Sequence, residues 1–249
     1  MENNVAQKVI AFASILALPF ALGAFVLAWA PAQQFHLSDP RGDGYVPPRS
    51  IEKLVKGVQD STVTVFCKHS DPKKNTLGSA WAINLENGQG DKYPTTLITN
   101  HHVIDDCLDG KGTLTVAALY GKESPAIIDT YDAENDLASI ATSLELKPLK
   151  LSEYEPWPGY WVAAIGSADG YEGSVAFGNV LNGTKYEVLI TVPLSHGNSG
   201  GPLVDNEGNV VGTNTFGQID EQYNGAMSLN ALCVKIMECK DDLFWKVED

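Results

Sequence analysis

Ser199 stands in the run Gly197-Asn198-Ser199-Gly200-Gly201-Pro202-Leu203, with glycines on both sides. A serine hydroxyl is a weak nucleophile at neutral pH. It needs a general base within hydrogen-bond reach, and donors for the oxyanion formed on attack at a carbonyl. The spacing allows the backbone N–H groups of Gly197 and Ser199 to converge on one oxyanion hole, while Gly200 and Gly201 keep the approach open and permit positive φ. Taken alone, the same run reads equally well as an ordinary Gly/Asn/Ser turn. Two upstream segments supply the missing chemistry. Ile98-Thr99-Asn100-His101-His102-Val103 closes a β-rich run on two histidines, and Tyr131 to Ala138, YDAENDLA, is an acidic turn that carries Asp132 and Asp136 into a strand. Base, orienting carboxylate and nucleophile therefore follow in the order His, Asp, Ser, the parts needed for acyl transfer through a covalent intermediate.

The elements that must position these groups are mostly strands. After a short amphipathic helix predicted over Ser50 to Val58, six β-rich runs separated by turn residues follow: STVTVFC, SAWAINL, TTLITNHHV, GTLTVAAL, PAIIDTY and DLASIAT. The segment Ser152 to Gly159, SEYEPWPG, breaks the pattern, and a second set follows: YWVAAIG, GSVAFGNVL, YEVLITV, PLVDN, NVVGTNTF and GAMSLN. This is an all-β, antiparallel signature in two tandem modules. Asn206-Glu207-Gly208-Asn209 reads as a hairpin turn. Apolar spacing from Ala231 to Val247 predicts a terminal helix capping the second module.

The chain has 249 residues, 44% hydrophobic and 19% charged, and a formal net charge of -14. Such an acidic chain lacks the basic footprint of a nucleic-acid binder or of a protein held on anionic lipid by charge. From Val9 to Ala30 no charged residue occurs, which reads as a membrane-insertion segment. Its length, and the proline in the Ala30-Pro31-Ala32 exit, favour an uncleaved anchor over a cleaved signal, and either one exports the remainder. A proline-rich polar linker follows.

The four cysteines, Cys67, Cys107, Cys233 and Cys239, all lie beyond that segment, an even number suited to an oxidising compartment. Proximity along the chain favours Cys67 with Cys107 and Cys233 with Cys239 among three possible pairings. Six residues of straight helix would separate the second pair by about 9 Å, beyond the ~7 Å reach of a disulfide. The helix must therefore begin near Cys233 or be distorted there. No C-x-x-C pair or histidine cluster supports a metal, and no cofactor is implied.

In these motifs the chain resembles the trypsin-like, chymotrypsin-fold serine proteases, and within them the HtrA/Deg-like branch, over roughly residues 62 to 231. Gly78-Ser79-Ala80-Trp81 is similar to the family's entry strand, ITNHHV to its histidine motif, NDLA to its aspartate motif, AAIGSADGYEGSVAFGNV to its A-I-G and T-V segments, and HGNSGGPLVDNEGNVVGTNT to its nucleophile motif. The resemblance implies two six-stranded antiparallel β-barrels. It assigns His102 as base, Asp136 as orienting carboxylate, Ser199 as nucleophile and the amides of Gly197 and Ser199 as oxyanion hole. It also implies a serine endopeptidase that acts on polypeptides outside the cytoplasm. The strand Thr213-Asn214-Thr215-Phe216 should line the cleft and pair with substrate.

Rivals within the motifs rank lower. His101 faces away from His102 on an extended strand, Asp132 reads as a turn residue or cap, His196 as a loop residue, and Ser195 lacks the glycine two positions earlier. Expected boundaries are residues 1–8 for a cytoplasmic tail, 9–30 for the transmembrane or signal segment, 31–49 for the linker, 50–152 and 153–231 for the barrels, and 232–249 for the terminal helix. Two departures restrict what carries over. Only 19 residues follow Asn230, too few for the PDZ domain usual in that branch, and Pro193 stands where trypsin-like selectivity for basic side chains needs an aspartate. The competing functions are a membrane-anchored, non-catalytic binding protein on a protease fold, and an esterase using the same triad. Oligomeric state is left open by the sequence.

Overall fold

Alternation along β2 (Thr76–Ile83) shows how the fold is built: Ala80 and Ala82 face one apolar cluster, while Trp81 and Ile83 face another. The computed structural model describes residues 42–85, 90–217 and 223–245. The apolar run 9–30, its preceding tail and most of the linker lie outside the described residues; among those described, no helix is long and apolar enough to cross a membrane. Residues 44–249 form a compact unit of their own.

That unit holds two closed antiparallel barrels of six strands. The first comprises β1 (Thr62–His69), β2, β3 (Thr95–Thr99), β4 (Gly112–Ala118), β5 (Ser124–Asp132) and β6 (Leu137–Thr142), closed in the order β1-β2-β3-β6-β5-β4. The second comprises β7 (Trp161–Gly166), β8 (Ser174–Gly183), β9 (Glu187–Ile190), β10 (Pro202–Val204), β11 (Val210–Gly217) and β12 (Asn224–Ser228), closed as β10-β11-β12-β9-β8-β7. All twelve strands coincide with the β-rich runs of the sequence. Full closure leaves neither sheet an edge strand to protect.

Each barrel has its own core. Val63, Val65, Leu97, Val116 and Ile140 fill the first, and Val162, Ala164, Val188, Ile190 and Leu203 the second. A third cluster lies between them, with Trp81, Ile98 and Leu137 from the first barrel against Trp161, Ile165, Val204, Val210, Leu229 and Leu232. Strands such as β6 and β7 are consequently buried on both faces, and their sequences LASIAT and WVAAIG run apolar rather than alternating. Trp81 is fully buried, and its indole N–H donates to Thr213 Oγ1 at 3.2 Å, crossing from one barrel to the other.

Helix α1 (Ile51–Gln59) forms where the amphipathic pattern predicts it and sends Leu54 and Val58 into the inter-barrel cluster. The hairpin at 205–209 also forms, with Gly208 at φ 84° and the Asp205 and Asn209 main chains bonded at 2.9 Å. The terminal helix differs from expectation. It spans Leu229–Lys235 rather than continuing to the chain end, because Asn230 Oδ1 accepts the N–H groups of Phe244 and Trp245 and turns the chain back on itself. Cys239 thus lies beyond the helix, with its Cα 5.3 Å from that of Cys233, and the pair forms a disulfide. Cys67 and Cys107 form the other.

Candidate active site

The candidate residues meet where the two barrels adjoin. Strand β3 ends at Thr99, and after Asn100 one helical turn, α2 (His101–Ile104), begins. The two histidines therefore diverge by helical rotation, not by the strand alternation expected from sequence. His101 packs on Tyr131 with ring centroids 5.0 Å apart, and its Nε2 lies 3.9 Å from Asp105. His102 turns to Asp136: its ring Nδ1 lies 2.7 Å from Oδ2, and its main-chain N–H donates to Oδ1 at 2.9 Å. A carboxylate only accepts, so the Nδ1 proton sits on the imidazole, and in the neutral ring Nε2 is the nitrogen that carries the lone pair.

Asp136 occupies a left-handed backbone conformation, φ 49°, uncommon for a residue with a side chain. Such a conformation persists where the surroundings over-determine it. Asn100, wholly buried, donates its Nδ2 to the Asp136 carbonyl at 2.8 Å and to Thr215 Oγ1 at 2.5 Å. Asp132, also wholly buried, accepts from the N–H of Glu134 at 3.2 Å and from Asn135 Nδ2 at 2.6 Å, and so shapes the turn that precedes Asp136.

Ser199 comes from the second barrel. Its hydroxyl donates to the Thr215 carbonyl at 3.3 Å, and it lines a cavity of about 410 Å³ together with His102, Thr76, Leu77, Val103, Asp169 and His196. The loop before it is tightly set. Gly197 has φ 93°, and a Cβ there would stand 2.2 Å from the Ser167 carbonyl oxygen; Gly200 has φ 84°, and a Cβ would stand 2.1 Å from the Ser79 carbonyl oxygen. The main-chain N–H groups of Asn198, Gly200 and Gly201 bond to the carbonyls of Ser195, Asn214 and Asn198. Among the described residues, no protein acceptor is bonded to the N–H of Gly197 or of Ser199.

Ser79 ties that loop to the first barrel. Its Oγ donates to the Gly197 carbonyl at 2.7 Å and accepts from Ser167 N–H at 2.9 Å, while its main-chain N–H donates to the Ser199 carbonyl at 2.8 Å. Thr99 Oγ1 completes the set by donating to the Ser79 carbonyl at 2.7 Å. Sequence reading placed Ser79 and Asn100 in motifs without a role, and passed over Lys235 altogether. A polar residue inside an otherwise apolar strand was the available signal for Ser79.

The strand predicted to line the cleft is divided. Thr213 and Asn214 are wholly buried, bonded to Trp81 and to the Pro202 carbonyl, so their side chains face inward. Thr215 presents its carbonyl to Ser199. Phe216 continues β11 along the same line. His196 is exposed, lines the cavity and accepts the Asp169 N–H on its carbonyl at 2.6 Å. Ser195 is exposed beside it.

The trypsin-like peptidase domain family matches residues 78–212, a span that includes His102, Asp136 and Ser199. The chain belongs to the trypsin-like peptidase family. Within that family it is similar to a probable periplasmic DegP-like serine endoprotease of Halomonas elongata, 32% identical over 172 residues, which are 65% of this chain and 33% of the relative. It is also similar to the anti-sigma-I factor RsgI9 of Acetivibrio thermocellus, 26% identical over 80% of this chain and 28% of that protein. The chain thus spans about a third or less of the length of these curated relatives. Among solved structures, the serine endoprotease of Yersinia pestis superposes with a TM-score of 0.64 at 27% identity, covering 78% of this chain and 67% of that one. The trypsin-like, HtrA/Deg-type resemblance seen in the motifs agrees with these matches.

Proposed function

We propose that this chain is a serine endopeptidase acting outside the cytoplasm, with His102, Asp136 and Ser199 as its catalytic triad. One observation carries the reading: both oxygens of Asp136 are engaged by His102, whose remaining ring nitrogen is left basic in a chain where Ser199 lines the same cavity. The Ser199 hydroxyl turns from the Thr215 carbonyl to His102 Nε2, which takes its proton as Oγ attacks the scissile carbonyl. Asp136 steadies the imidazolium. The amides of Gly197 and Ser199 receive the oxyanion, and His102 then returns the proton to the leaving amine. Water, activated by the same histidine, hydrolyses the acyl-enzyme.

Two disulfides and the uncharged run 9–30 support action beyond the membrane, with that run as anchor or signal. The periplasmic designation of the Halomonas relative agrees with this. Pro193 and the neutral residues of β11 suit an uncharged side chain on the acyl side of the scissile bond. Profiling with a peptide library tests that point, and a strong preference for arginine or lysine there would contradict it. For the reaction itself, Ser199→Ala should remain folded and lose turnover by several orders of magnitude. Retention of full peptidase activity would refute the assignment.

A further inference from the structure

The group that holds Asp136 in place reaches across to the far end of the chain. Asp132 ends β5, three residues before Asn135, and its carboxylate is buried with only 1% of the side chain exposed. A buried carboxylate needs partners for both oxygens. Locally it takes the Glu134 N–H and the Asn135 amide; from the second barrel's terminal helix, α3 (Leu229–Lys235), it takes Lys235 Nζ at 2.9 Å. The neighbouring Tyr131 carries the His101 ring, so the turns bearing His102 and Asp136 both lean on the end of β5. Lys235 is placed by the helix end that the Cys233–Cys239 disulfide ties off, and the chain beyond is fastened by Asn230 and by the Trp245 indole N–H on the Ser152 carbonyl at 2.9 Å.

We infer that Lys235 and Asp132 form an inter-barrel latch, with Lys235 a positioning residue that sets His102 and Asp136 against Ser199, and with the Cys233–Cys239 bridge holding the latch in register. The inference rests on the proposed triad. Histidine and aspartate come from the first barrel and serine from the second, so the reacting geometry depends on how firmly the barrels are docked near Asp136. The apolar inter-barrel core sets the docking as a whole but does not specify direction at this turn. A charged hydrogen bond to a buried acceptor does. Asp136 at positive φ has the most to lose, because a loosened turn lets it relax towards an ordinary backbone conformation.

The test uses the full-length protein with Lys235→Met, Lys235→Arg and the paired Cys233→Ser/Cys239→Ser variant. Lys235→Met should lower kcat for a peptide substrate on the order of 10- to 100-fold at nearly constant KM, the size of effect expected from misplacing a reacting group by a fraction of an ångström to 1 Å. Lys235→Arg should restore most of the loss. The serine pair should lower kcat in the same direction, and combining it with Lys235→Met should add little, since both act through one contact. Fold is followed by the thermal midpoint. The downfield proton resonance of His102 Nδ1–H should broaden or shift in Lys235→Met, a readout that does not depend on turnover. An unchanged kcat with an unchanged resonance overturns the latch, as does failure of Lys235→Arg to rescue. If the wild-type protein cleaves no peptide, the proposed function falls instead, and the resonance alone decides the latch.

Discussion

Asn100 and Gly197 make different demands on the site. Asn100 donates to both the Asp136 carbonyl and Thr215 Oγ1, while among the described residues its own Oδ1 accepts from no protein group. Asn100→Asp replaces that donor with an acceptor facing the Asp136 carbonyl, which can only accept. It should reduce kcat on the order of tenfold or more with KM little changed, as measured by steady-state kinetics. Gly197→Ala sets a methyl group against the Ser167 carbonyl at a positive φ, so the loop proposed to carry the oxyanion donors must shift. Loss of one aligned oxyanion donor costs about 10²- to 10³-fold in kcat, and Gly197→Ala should fall in that range or below it. At this scale the sequence was most legible for residues inside short motifs. Ser199, His102 and Asp136, the proposed triad, stand out by their neighbours. Asn100 and Ser79 stood in those motifs without a role and Lys235 outside them, because each acts through a partner 36 to 118 positions away and nothing local marks the pairing.

Among the elements, β2 and its tryptophan join the barrels, and the terminal helix closes them. Trp81→Ala removes a fully buried indole and its bond to Thr213, and should destabilise the protein by about 3–5 kcal/mol in denaturant titration. Asp132 makes stability depend on pH. Burial raises its pKa, but the hydrogen bonds from Asn135 and Lys235 outweigh that and hold the carboxyl below its ordinary value of 3.8. Its stabilising contribution is therefore complete above that value and is lost as pH falls through the lowered one. Urea midpoints for the wild type should drop more steeply below pH 4 than those of Asp132→Asn, and parallel curves would contradict the sign. All twelve strands could be read from β-branched runs between turn residues. The helix end could not, since apolar spacing from Ala231 to Val247 also fits a helix that stops at Lys235 and a tail folded back on Asn230.

For the whole molecule, a net charge of -14 makes the folded state self-repelling. Moderate salt screens such repulsion over about 8–10 Å, so the thermal midpoint should rise between 10 and 150 mM sodium chloride; a fall would show that attractive ion pairs dominate. The acidity read from composition argues against a nucleic-acid partner but points to no substrate, and the barrels account for why. In the proposed reading, substrate contact falls to a few residues around one cavity, which average charge does not describe. Two barrels sharing an apolar seam bring together groups that sequence order separates, and the account stands on Ser199 being activated at that seam. Labelling with a fluorophosphonate tests this most directly. The wild-type protein should be modified at Ser199 in a near one-to-one ratio and lose peptidase activity, while folded Ser199→Ala stays unlabelled. A folded wild-type protein that resists the probe, or one modified at another residue with activity retained, would contradict it.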